Sequence, residues 1–187
     1  LTTRFAPIND YYGNLVIIQH NFLSPEGLPV YTLYGHMANV TAREGQVVRE
    51  GDVIGIVGAT GIALGPHLHL EIRVGDPFDF DDTRNPELWV RPYPNFGVLA
   101  GRVVDQTGAV QYGVTLIVRS SLMERQTYTY GDESVNPDPV LHENFTIGDL
   151  PAGDYSVSAV AGGRVRFTRQ VTLVPNQLTW LDVQLSP

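Results

Sequence analysis

The sequence predicts a mostly β protein built in two parts. Nineteen glycines and thirteen prolines are spread along the chain between short runs of Val, Ile, Leu and Tyr, which is how turns punctuate strands. Apolar residues make up 43% and charged residues 17% of the 187, so the chain is globular and long enough for one large core or two modest ones. Residues 75–96 then break the rhythm with an acidic, proline-rich stretch, and the texture beyond it is regular again.

Taken in order, Asn14 to Asn21 (NLVIIQHN) has the pattern of a buried strand, Ser24 to Gly27 (SPEG) is a turn, and Pro29 to Tyr34 (PVYTLY) is a second strand. Glu44 to Gly61 carries glycines at 45, 51, 55, 58 and 61 between pairs of β-branched residues, a spacing for short, tightly turned strands. Gly65 to Arg73 reads GPHLHLEIR. In a strand alternate side chains share a face, so His67, His69 and Glu71 point one way, about 6.5 to 7 Å apart. Three polar groups on one face of an apolar run make a metal site, a pair of catalytic imidazoles or a wet sheet surface. Asp76, Asp79, Asp81 and Asp82 follow without EF-hand spacing or its glycine and read as a solvated loop. Pro92 and Pro94 mark an exit, giving a first domain over 1–91, a linker over 92–96 and a second domain over 97–187. The second contains six or seven short strands, as in a small β-sandwich, with Phe145, Tyr155, Phe167 and Trp180 in its core.

Composition narrows the function. A net charge of −8 offers no basic patch for nucleic acid, and no apolar run approaches the roughly 18 residues of a membrane span. All twelve basic residues are arginine, which excludes lysine Schiff bases and lipoyl or biotin carriage. Without cysteine there are no thiolate nucleophiles or disulfides, and any metal must sit on His, Asp or Glu. His20 and His142, isolated among strands, read as structural.

The glycine and valine pattern of EGQVVREGDVIGIVGATG resembles the barrel-sandwich hybrid of lipoyl-type carriers, sugar-phosphotransferase components and some metallopeptidases; the absence of lysine removes the carriers, and GPHLHLE speaks against the phosphotransferases. LYGHM (Leu33 to Met37), VREGDVIGIVGATG and GPHLHLEIR, in this order and spacing, resemble the lysostaphin or LytM type of zinc endopeptidase, which cleaves peptides of bacterial peptidoglycan. The resemblance spans about residues 11–91. It implies zinc as cofactor, His69 as a metal ligand, His36 and His67 as catalytic imidazoles acting on the attacking water and the transition state, and an extracytoplasmic protein, secreted, periplasmic or associated with the cell wall. Such chemistry suits the residues: zinc lowers the pKa of water to about 7, and an imidazole with a pKa of about 6.5 takes its proton at physiological pH.

The type's further ligands, a His-x-x-x-Asp pair, do not occur in the chain; the resemblance places them ahead of YYGNLVIIQH, before Leu1. The chain, starting without methionine or an apolar signal segment, is therefore expected to be a piece of a longer protein, inactive alone and holding zinc weakly or not at all. The alternative is a non-catalytic peptidoglycan-binding or amidase-activating module on a degenerate peptidase fold. Glu71 either orients the His69 ring or pairs with Arg73 or Arg43, and Tyr34 either lines the groove or packs inside. Gly61, Gly65 and Pro66 shape the backbone that presents the histidines. In the second half, GRVVDQTGAV and FTIGDLPAGDYSV resemble carboxypeptidase-regulatory or transthyretin-like modules, which implies an accessory Greek-key domain without catalytic residues.

Overall fold

A computed structural model describes residues 3–4 and 9–187; the first positions of the expected N-terminal domain, 1–2 and 5–8, lie outside the described residues. The chain divides into two compact units, Leu1–Pro86 and Glu87–Pro187, and both are almost entirely β.

The first unit holds β1 (Thr3–Arg4), the single helical turn α1 (Asn9–Tyr12), β2 (Asn14–Leu23), β3 (Pro29–Met37), β4 (Asn39–Val40), β5 (Gly55–Ile56), β6 (His69–Val74) and β7 (Thr83–Arg84). Five of these strands form one antiparallel sheet in the order β1-β2-β3-β6-β7, and β4 with β5 forms a separate short ladder. The apolar run of β2 is buried on both faces because a cluster lies on each side. Leu15 and Ile17 pack with Tyr12 and Leu33, whereas Val16 and Ile18 pack with Met37 and Val48. Register places Ile17, Leu33 and Glu71 in one cross-strand row, with Gly35 opposite His69 in the same orientation; Val16, Tyr34 and Leu70 form a row that points the other way.

The second unit holds β8 (Phe96–Val104), β9 (Thr115–Arg119), β10 (Glu124–Tyr128), β11 (Phe145–Pro151), β12 (Gly153–Ala161), β13 (Arg164–Leu173) and β14 (Leu178–Gln184). They form two sheets, β10-β9-β12-β13 and β11-β8-β14, with β8 and β14 running parallel. The chain crosses between the sheets after β8, β10, β11 and β13, and one contiguous cluster fills the sandwich, including Leu99, Val103, Leu116, Phe145, Val157, Leu173 and Leu181. The proline-rich stretch is hydrogen-bonded into this unit: the Phe96 N–H donates to the Tyr93 carbonyl, and the Ala152 N–H to that of Asn95.

Of the four aromatics expected in this core, Phe145 and Tyr155 are buried and Phe167 packs against the cluster. Trp180 does not. Leu181 and Val183 take the inward positions of β14, so alternation turns Trp180 outward, where its indole N–H donates to Asp182 Oδ1 at 2.9 Å. Among the described residues no helix is long and apolar enough to cross a membrane.

Candidate functional site

The site is assembled where β3 ends. Gly35 pairs with His69 across the β3–β6 ladder, and a Cβ at Gly35 would meet the Tyr12 ring at 3.3 Å and the His69 ring at 3.4 Å, so the glycine leaves room for two aromatic rings above the sheet. Tyr12 and His69 fill that room edge to face, centroids 5.3 Å apart.

His36 follows with φ 55°, in the left-handed region that costs a side-chain-bearing residue about 1–2 kcal/mol. Its surroundings hold it there: it is buried, its Nδ1 lies 2.9 Å from the Thr60 carbonyl, and the Thr60 N–H returns a 3.3 Å bond to the His36 carbonyl. Thr60 is fixed in turn, its hydroxyl donating to the Met37 carbonyl at 2.8 Å and accepting from the Asn14 N–H at 3.0 Å. His67 precedes β6 and is seated by a bridge to Gly58, whose lack of a side chain lets it lie against the Ala38 backbone.

These pieces bring three imidazoles together from two segments some thirty residues apart in sequence. Ring centroids are 4.9 Å apart for His36–His67, 4.9 Å for His36–His69 and 6.3 Å for His67–His69. One ring nitrogen from each lies within 4.8 Å of the others. The hydrogen bonds fix the neutral tautomers. A carbonyl oxygen can only accept, so His36 donates from Nδ1 to Thr60, and His67 from Nδ1 to Gly65 at 2.9 Å. The Glu71 carboxylate accepts from His69 Nε2 at 2.8 Å. The lone pairs left over are His36 Nε2, His67 Nε2 and His69 Nδ1.

Glu71 bonds to His69 and to Arg73 at once. Its Oε1 accepts from Tyr12 Oη at 2.7 Å as well as from His69, while Oε2 accepts from Arg73 Nε at 2.9 Å and Nη2 at 2.7 Å. Burial alone would raise the Glu71 carboxyl, but the bonds from His69, Tyr12 and Arg73 outweigh it and hold the pKa down to about 2. The same contacts act oppositely on Tyr12: burial first, then the bond to Glu71, push its phenol up to about 12.

Tyr34 packs with Val16, Ile18, Met37 and Val48 and does not join the histidines. Tyr34 and His36 stand two apart, which on regular strand would give them one face, but the left-handed turn at His36 swings its ring to the His69 side. His20 Nε2 lies 3.1 Å from Thr32 Oγ1, and His142 is exposed in the second unit. Two contributors escaped the sequence reading, Tyr12 and Thr60. Tyr12 lies 53 residues before the GPHLHLEIR block and Thr60 lies 24 residues after the His36 it holds, and no local pattern marks either.

The three imidazoles, one of them oriented by a carboxylate, form a cluster that could hold a metal ion suited to nitrogen ligands.

Residues 3–80 match peptidase family M23. Over 67 residues the chain is 48% identical to the DD-carboxypeptidase/endopeptidase Mpg of Neisseria meningitidis serogroup B, a match covering 35% of this chain and 14% of that protein. It is 42% identical over 65 residues to the peptidoglycan DD-endopeptidase ShyB of Vibrio cholerae, covering 34% and 14%. Among solved structures it is similar to the catalytic domain, in mutant form, of the prophage-encoded M23 protein EnpA from Enterococcus faecalis, with 28% identity, 46% of this chain, 60% of that one and a TM-score of 0.38. The matched stretch is thus a small part of each curated relative.

Proposed function

With a peptidase M23 domain of the LytM type over residues 3–80 as the premise, we propose that the full-length protein is a zinc-dependent endopeptidase that cleaves peptide bonds of bacterial peptidoglycan outside the cytoplasm. The observation that carries the reading is the convergence of the His36, His67 and His69 imidazoles, each with one ring nitrogen already engaged by Thr60, Gly65 or Glu71. The names of the relatives, peptidoglycan DD-endopeptidase among them, support the substrate class.

On this reading His69 would be a metal ligand, and Glu71, accepting the Nε2 proton, leaves Nδ1 the nitrogen with a free lone pair. Zinc held there would acidify water and polarise a carbonyl. The His67 ring is exposed and its Nε2 takes the proton of the attacking water; His36, buried and fixed by Thr60, keeps the geometry of a donor that steadies the developing oxyanion once its Nε2 is protonated. The His-x-x-x-Asp pair that the resemblance calls for is not in residues 1–187. We place it in the longer protein and expect the 187-residue chain alone to bind zinc weakly and to be inactive. The second unit, with FTIGDLPAGDYSV on β11 and β12, we read as a transthyretin-like accessory module.

The test is to titrate zinc into this chain and into a version extended upstream, following metal binding and peptidoglycan hydrolysis. Tight binding and hydrolysis only in the extended protein are expected. Tight, stoichiometric zinc with hydrolysis in the short chain would mean that His36, His67 and His69 are themselves the ligand set. An extended protein that binds no zinc would favour the non-catalytic, wall-binding or amidase-activating module.

A further inference from the structure

We infer that Tyr12 and Arg73 are positioning residues for His69, acting as a two-sided clamp on Glu71. The inference rests on the reading of His69 as a metal ligand, and it concerns what fixes that ring before any metal arrives.

A lone glutamate two residues along a strand from a histidine has three side-chain torsions and no reason to present one oxygen to one ring nitrogen. Here those torsions are removed from both sides. Arg73 applies its guanidinium fork to Oε2 through Nε and Nη2 and anchors its far end with Nη1 on the Pro77 carbonyl at 2.9 Å. Tyr12 applies its hydroxyl to Oε1. The two clamps are tied to each other, since Arg73 Nη2 also donates to Tyr12 Oη at 2.8 Å and the guanidinium carbon stands 6.0 Å from the centre of the Tyr12 ring. Both residues are buried, at 7% exposure for Tyr12 and 2% for Arg73, so water does not compete for these bonds.

The acceptor geometry that results leaves His69 one choice. Oε1 has the phenol on one side and receives His69 Nε2 on the other. The Tyr12 ring also stands edge to face against the imidazole, over the space that Gly35 leaves free, so the ring is located by packing as well as by its hydrogen bond. Tyr12 is in turn seated among Leu15, Ile17 and Leu33, which connects the position of the His69 ring to one of the two apolar clusters of the unit. A change 57 residues upstream in sequence therefore reaches the His69 nitrogen through a single oxygen atom.

The experiment uses the 187-residue chain free of metal. Tyr12→Phe keeps the ring and its packing and removes only the hydroxyl; Arg73→Lys keeps the charge and removes the fork. The primary readout is solvent exchange of the His69 Nε2–H proton by NMR, assigned by its disappearance in His69→Gln. A clamped bond gives slow exchange in the parent chain, faster by about tenfold or more in either variant, with an unchanged backbone amide spectrum. Zinc affinity in the upstream-extended protein should fall by about 10- to 100-fold in the same variants. Exchange that is unchanged in a folded Tyr12→Phe overturns the inference, and this holds even if Arg73→Lys fails to fold. An extended protein that binds no zinc while the exchange contrast persists removes the metal reading and leaves the clamp standing.

Discussion

Glu71 in the first unit is partly buried and Glu143 in the second fully so, and the two are treated oppositely. Glu71 meets the charged fork of Arg73, the Tyr12 hydroxyl and the His69 ring, and its pKa is held down to about 2. Glu143 is fully buried and accepts from Tyr130 Oη at 2.7 Å and from the Asp138 N–H at 2.9 Å; burial dominates, and its carboxyl is raised above the usual value. Hydrogen bonds lower both carboxyls, but only at Glu71, where His69 and Tyr12 are joined by the fork and charge of Arg73, do they outweigh burial. The cores differ in the same spirit. Among the described residues the first unit divides its apolar side chains into two small clusters on either face of one sheet, whereas the second has a single contiguous cluster between two sheets.

The largest expected effect probes that second cluster. Phe145→Ala removes a fully buried ring and should destabilise the second unit by about 3–5 kcal/mol, seen as an earlier thermal transition, while the histidine ring resonances of the first unit stay in place. Simultaneous loss of those resonances would mean that the two cores are not separate. Next is Gly58→Ala. A Cβ there runs into the backbone of Ala38, and the overpacking should cost about 1–3 kcal/mol and unseat His67 from its bridge. Urea unfolding reads the first effect and the His67 ring shifts read the second; an alanine tolerated without either change would show that something else seats His67.

The smallest effect separates the glutamates by pH, in chain freed of metal by chelator. The folded value of Glu71 lies below the ordinary 4.5, so its contribution is fully present above 4.5 and is lost as pH falls from there towards about 2. The folded value of Glu143 lies above 4.5, so its cost is absent below 4.5 and appears as pH rises through the folded value. Acidification from neutrality to 4.5 should thus favour the second unit, and further acidification should weaken the first. Glu143→Gln should flatten the second slope and change stability at neutral pH by no more than about 1 kcal/mol. Thermal transitions of both units that move together across this range would contradict the contrast.

Much of this was legible in the sequence, for local reasons. Strand rhythm follows from alternation and glycine punctuation, and GPHLHLEIR declares its own shared face, so Glu71 and Arg73 lie where the two-residue period puts them beside His69. What the sequence leaves open is whatever depends on one backbone angle or on distant chain. Which of its two places Tyr34 takes is decided by a single left-handed φ at His36, which interrupts the alternation. Trp180 looked like core because size and hydrophobicity do not tell which parity a strand turns inward. Tyr12 and Thr60 reach the histidines from 57 residues before His69 and 24 after His36, through contacts that no short window contains.

The parallel pairing of β8 with β14 bears on mechanics. β8 is the first strand of the sandwich and β14 the last, and because the two run the same way, the start of β8 and the end of β14 lie at opposite ends of the pair. A pull along the chain slides one strand past the other and strains every rung from Leu178–Val98 to Gln184–Val104 together, where an antiparallel neighbour pulled from its open end would part rung by rung.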